Sequence, residues 1–160
     1  MPGVEKKRST KEIRMTISDL QIAWDPKFSV DVPEIDNHQK KMFALFNALI
    51  DLKHQNSDPK ALANMISEIN DYGKLYFSTE ERILRKRGYP DREIHARAHR
   101  RFIRSAISLR REIAEDVDNL TMDTILELRN WLVDHITTSD SLYVPFLRVH
   151  QYIEESLQKN

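Results

Sequence analysis

Between residues 35 and 50 apolar side chains return every three or four positions, as Ile35, Met42, Phe43, Leu45, Phe46, Leu49 and Ile50. That period predicts an amphipathic helix from about Asp36 to Lys53 with one broad buried stripe. A second helix is expected after Asp58, with Pro59 in its first turn. It carries Met65, Ile66, Ile69, Tyr72, Tyr76, Ile83 and Leu84 until "RGYP" stops it. A third starts near Asp91 and holds Ile94, Ala98, Phe102, Ile103 and Leu109 to about Asp116. A fourth runs from about Thr121 to Thr138 through Ile125, Leu128, Trp131 and Leu132, with Pro145 limiting any continuation, and a last short helix spans about Phe146 to Leu157. Long amphipathic helices joined by short connections favour antiparallel neighbours. The expected fold is all-α, an up-down-up-down four-helix bundle with an N-terminal arm and a short C-terminal helix.

Ahead of the first helix, "WDPKFSVDVPEID" carries Pro26 and Pro33, which forbid a continuous helix, and Trp24, Phe28 and Val30, which can anchor an extended segment on the core. Residues 1–20 hold Lys6, Lys7, Arg8, Lys11 and Arg14 with few apolar partners, and read as a mobile or partner-bound arm. Residues 21–160 read as one bundle domain.

Composition narrows the chemistry. The chain has 160 residues, which suits one domain, and only three glycines, which suits helices. It has no cysteine, so a metal would have to be held by imidazole, carboxylate, phenolate or amide oxygen. The formal net charge is zero, which argues against a nucleic-acid partner. Arg82, Arg85, Lys86, Arg87, Arg97, Arg100, Arg101 and Arg104 do crowd one region. Such a cluster reads as a solvated face before it reads as a protein-docking surface. The first residues are charged and no apolar run reaches membrane-spanning length, so neither signal peptide nor membrane span is expected and the chain is placed in the cytoplasm.

Candidate chemistry lies on three helices. "HARAH" sets His95 and His99 four residues apart, on one helix face and able to grip one ion. Alone, that spacing also occurs on solvated and core faces. In "YFSTEE", Tyr76 and Glu80 are again four apart on a buried stripe, and an inward carboxylate asks for a cation. Glu81, one step round, reads as solvated. In "HITTSD", Asp140 follows His135 by five residues. At 100° per residue this places the two side chains about 140° apart, too far round to share an ion as a four-residue pair would.

Taken together, "WDPKFSVDVPEID", "YFSTEERILRKRGYP", "HARAHRRF" and "WLVDHITTSD" resemble the hemerythrin family over roughly residues 24–150. The resemblance implies a non-haem diiron site with two Fe ions between four helices. In it His95, His99 and His135 match the three-histidine iron, and Glu80 and Asp140 match the bridging carboxylates. At the second iron the sequence departs from the pattern. Tyr76 stands where a histidine is expected, and "IDNHQ" puts Gln39 at the other ligand position with His38 just before it. On an ideal helix His38 points about 100° away from that direction. His54 and His150 have no matching partners and read as surface residues.

By this resemblance the chain binds, senses or stores O2 or another small oxidant. A tyrosinate, as a hard anionic donor, would favour ferric iron and weigh against reversible oxygen carriage. Two alternatives stay open: a diiron enzyme acting on peroxide or ferrous iron, and a single-metal protein, with zinc as one choice, whose function lies in protein contacts through the basic surface or the arm.

Overall fold

The structure is a computed structural model and describes residues 16–159. Most of the expected N-terminal arm, residues 1–15, lies outside the described residues. The described chain is helical, with helices α1 (Ile17–Leu20), α2 (Pro33–His54), α3 (Pro59–Lys86), α4 (Arg92–Glu115), α5 (Met122–His135) and α6 (Ser141–Gln158). Two single 3-10 turns, Pro26–Phe28 and Val117–Asn119, lie in the connections. Helix α2 packs on α3, α3 on α4, α4 on α5 and α5 back on α2, closing a four-helix bundle.

Local chemistry sets the helix limits. Pro33 opens α2, where its missing N–H costs nothing. The Asp36 carboxylate, in the first turn, accepts from Val30 N (2.9 Å) and Ser29 Oγ (2.5 Å), so the extended segment is tied to the helix start. Asp58 caps α3 by accepting from Lys60 N at 3.0 Å. The other end of α3 closes in a Schellman motif. Gly88 takes φ 72°, Gly88 N donates to Arg85 O (3.1 Å) and Tyr89 N donates to Leu84 O (2.9 Å).

The segment before α2 is strapped to the bundle by named bonds. Gln21 Nε2 donates to Asp51 Oδ1 (2.8 Å), Ile22 N to Asn47 Oδ1 (2.9 Å), and Asn47 Nδ2 back to Ile22 O (2.7 Å). Phe28 and Val30 are buried, as expected of anchors, and Phe28 meets Phe43 edge to face at 5.3 Å. Inside, Phe43, Phe46, Ile66, Ile69 and Phe102 are fully covered, on the stripes expected for α2, α3 and α4.

The last two expected helices are corrected. They are not separated ahead of Pro145: α5 runs into a π-helical turn, Ile136–Asp140, which runs into α6 with Pro145 inside it. A π turn shifts the hydrogen bond from i→i+4 to i→i+5 and so absorbs one extra residue. Hydroxyls of the "TTSDS" stretch supply donors around the widened turn. Thr137 Oγ1 donates to Val133 O (3.0 Å), Thr138 Oγ1 to Asp134 O (2.5 Å) and Ser141 Oγ to Thr138 O (2.8 Å). Pro145 cannot donate, and it falls just after a turn whose backbone register is already altered, so the rod continues.

Candidate metal centre

Five buried side chains from four elements meet between the helices. They are Glu80 from α3, His95 and His99 from α4, His135 from the end of α5 and Asp140 from the end of the π turn. One donor atom from each lies within 4.8 Å of all the others. None is more than 5% exposed. His95 Nε2 contacts Glu80 Oε1 and stands 3.0 Å from Asp140 Oδ1. His99 Nε2 is 3.0 Å from Glu80 Oε1 and 3.0 Å from His135 Nε2, and His135 Nε2 is 3.1 Å from Asp140 Oδ1.

These positions fit a metal ion better than they fit one another. Two imidazole nitrogens facing at 3.0 Å can share at most one proton. Neither oxygen of Asp140 finds a partner at hydrogen-bond geometry, although two imidazoles stand within ion-pair distance. Neighbouring donors around an octahedral ion at about 2.1 Å would themselves be about 3 Å apart, which matches the observed spacing.

Three of the five ligand candidates, His99, His135 and Glu80, are held from behind. His99 Nδ1 lies 2.8 Å from Glu81 Oε1. An ionised carboxylate only accepts, so Nδ1 carries the hydrogen and Nε2 presents its lone pair to the centre. His99 also stacks on Phe77, ring centroids 4.1 Å apart, and His135 on Trp131 at 4.9 Å. Tyr143 OH donates to Glu80 Oε2 at 2.9 Å.

Sequence reasoning missed two of these contacts. Glu81 was expected in solvent, yet it is only 30% exposed and pairs with His99. Tyr143 falls in the stretch read as a connection. Its position three residues after Asp140 carries a signal only once a helix is known to continue there.

Electrostatics without metal show what the pocket favours. Burial works against a charged His95, but the Asp140 and Glu80 carboxylates outweigh it and its pKa is pushed up to about 10. His99 is likewise raised against its burial, by Glu80 and then Glu81. Glu80 is buried, which opposes its charge, yet its bonds to His95 and His99 hold it below the usual carboxylate range. The buried carboxylates thus favour positive charge at the place a cation would take.

At the altered second position the residues divide. Tyr76 is fully buried and its hydroxyl has no partner at hydrogen-bond geometry, although Asp140 and Gln39 lie beside it. Burial, then the charges of Asp140 and Glu80, push its phenol well above the ordinary value. Gln39 points inward and is buried. Trp24 Nε1 can only donate, so the Gln39 atom it meets at 2.9 Å is the oxygen, which leaves Nε2 toward Tyr76 without a formed bond. His38 stands outside the group of five. It is half-buried, its Nδ1 lies 2.7 Å from Tyr72 OH and its ring stacks on Tyr76 at 5.8 Å. His54 is exposed, and His150 packs on Phe146 at 4.6 Å.

Residues 30–147 match the model of the hemerythrin HHE cation binding domain. The chain belongs to the hemerythrin family. It is 30% identical over 129 residues to the bacteriohemerythrin of Pseudomonas paraeruginosa, covering 79% of this chain and 82% of that one. Against a hemerythrin-like protein of Naegleria gruberi it is 30% identical over 120 residues, covering 75% and 88%. A crystal structure of wild-type hemerythrin aligns with a TM-score of 0.73 at 27% identity, covering 79% of this chain and 97% of that one. The hemerythrin match thus includes all four bundle helices and all five clustered side chains. Among the described residues no helix is long and apolar enough to cross a membrane. A surface groove of about 340 Å³ between α3 and α4 has Phe77, Glu81 and His99 in its lining.

Proposed function

We propose that the protein is a non-haem diiron protein that binds, senses or stores O2 or a related small oxidant, with a centre that favours oxidised iron over reversible carriage. His95, His99 and His135 would hold one iron, Glu80 and Asp140 would bridge, and Tyr76 would serve the second iron. The observation that carries this reading is the set of buried polar atoms with no partner, both Asp140 oxygens and the Tyr76 hydroxyl, side by side at the centre. Buried polar groups are almost always satisfied, so a run of orphans marks a place where a cation completes the set.

When bound, iron supplies redox chemistry that no side chain here can. The protein's own residues do the rest. Glu81 orients His99, Tyr143 steadies Glu80, and the Phe77 and Trp131 rings stack on His99 and His135 and fix their planes. Gln39 would not be a ligand, because its oxygen turns to Trp24 Nε1 and its amide nitrogen, which has no lone pair to give, is the end toward Tyr76. Its free amide instead faces Tyr76 and favours the phenolate. His38 would serve as the partner of Tyr72 and not as a ligand.

A single-metal reading has one observation in its favour. Without histidines at the second position, the donors left there are Tyr76 and carboxylate oxygens, and burial disfavours ionising Tyr76. Metal content per chain, measured together with the visible spectrum of the oxidised protein, separates the two. Two irons per chain and a colour lost in Tyr76→Phe are expected. One metal per chain with a spectrum indifferent to Tyr76→Phe would establish the single-metal reading instead.

A further inference from the structure

Helix α6 buries only Tyr143 and Leu147, and every described residue from Gln151 on is exposed. The exposed part nevertheless carries an apolar stripe. Leu142 is 71% exposed, Val149 57%, Tyr152 70%, Ile153 47% and Leu157 71%, with half-buried Phe146 between the first two. At 100° per residue Leu142, Phe146, Val149, Ile153 and Leu157 fall within about 80° of one another, and the buried Leu147 about 120° from the middle of the stripe. Among the described residues this face is covered only at Phe146, whose ring meets Tyr89 at 5.4 Å. Most of it also lies beyond residue 147, where the hemerythrin match ends, so building the metal centre does not require it.

We propose that this stripe is a two-fold interface, in which α6 packs antiparallel against α6 of a second copy of this chain. The spacing is its own mirror image. Reversed about a point between Val149 and His150, Leu142 falls opposite Leu157, Phe146 opposite Ile153, and Val149 next to its own counterpart. A two-fold interface demands this kind of self-complementarity, since each contact must occur twice with the partners exchanged.

Charge agrees with the register. The stripe carries no charged side chain: Arg148 and Glu154 lie about 100° or more from its middle, where Arg148 pairs with Asp31 and Glu154 accepts from Arg87 at 2.9 Å. The exposed fractions correspond to roughly 500 Å² per copy, or roughly 1,000 Å² in all, which reaches the lower edge of specific interfaces. A dimer in the micromolar range is therefore expected, not an obligate one.

Sedimentation equilibrium of the full chain tests the idea, with expected mass at high concentration twice the 18.9 kDa of one copy. Val149→Glu and Leu157→Glu should each raise the dissociation constant at least tenfold, while Leu75→Glu, on an exposed site of α3, should leave it unchanged. Because the chain has no cysteine, disulfide trapping gives the geometry directly. Val149→Cys should link to itself, and Leu142→Cys mixed with Leu157→Cys should link to each other far more than to themselves. A chain that remains monomeric at about 200 µM, or one in which Leu157→Cys links mainly to itself, overturns the proposal. So does dissociation by Leu75→Glu equal to that by Val149→Glu.

Discussion

His135 and Asp140 are five residues apart, yet their side chains meet at 3.1 Å, Nε2 to Oδ1, because the turn between them is π-helical. In an α-helix these directions would diverge by about 140°. An i→i+5 turn stacks residue i+5 over residue i, as an α turn stacks i+4. Exchanging the last two residues of the turn, Ser139→Asp with Asp140→Ser, moves the carboxylate one step round and should weaken metal binding at least tenfold. Deleting Thr138 should close the turn to an ordinary α geometry and keep both side chains on one face, so metal is retained. A chelator-competition titration reads both, and normal affinity in the exchanged variant would refute the role given to the turn.

His99 sits at the middle of the cluster, between Glu80, Glu81 and His135. His99→Ala should remove most bound metal. A ligand that binds only the folded state adds RT ln(1 + [L]/Kd), about 2.7 kcal/mol at a hundredfold excess over Kd. Wild type should therefore melt several degrees lower after chelation, while His99→Ala should melt at one temperature with or without chelator. Calorimetry with and without metal checks both.

The His95 pKa sets a pH dependence with a definite sign. Its ordinary value is 6.5 and the folded, metal-free value is about 10. The stabilisation from protonated His95 is complete below 6.5 and is lost as pH rises toward 10. Metal-stripped protein should thus lose melting temperature between these values, and metal-loaded protein should not, since the ion replaces the proton. Metal must displace that proton, so affinity should rise roughly tenfold per pH unit in the same window. An affinity independent of pH would contradict a protonated His95.

Tyr76 distinguishes a phenolate donor from a buried hydroxyl. Iron-loaded, oxidised wild type should show a phenolate-to-iron charge-transfer band that Tyr76→Phe lacks, while the three-histidine metal stays bound. Absorption spectra paired with metal analysis decide it, and identical spectra would remove Tyr76 from the ligand set.

Tyr143 makes a different kind of contact, a donated bond to the outer oxygen of Glu80 at 2.9 Å. Bonds to charged acceptors contribute about 1.5–3 kcal/mol. Tyr143→Phe should lower stability by about that much and loosen metal binding without abolishing it. Chemical denaturation of the metal-free and loaded forms measures the two effects separately.

The sequence by itself determined the helices and part of the centre. The apolar period placed α2, α3 and α4 within a few residues, because those stripes arise from side-chain spacing on one helix and need no neighbour. For the same reason the pair His95 and His99, and the inward Glu80 with Tyr76, were readable: i and i+4 share a face wherever the helix is regular.

Only the tertiary structure decided the remainder. Asp140 reaches His135 through a change of hydrogen-bond register that composition does not announce, and that same change carries the helix past Pro145 and brings Tyr143 onto Glu80. Glu81 turns toward His99 because a second helix lies beside it, and which end of the Gln39 amide faces Tyr76 follows from Trp24, fifteen residues earlier, which donates to its oxygen. Each of these depends on what stands across a gap from the residue, and the period of a single helix holds no information about the other side.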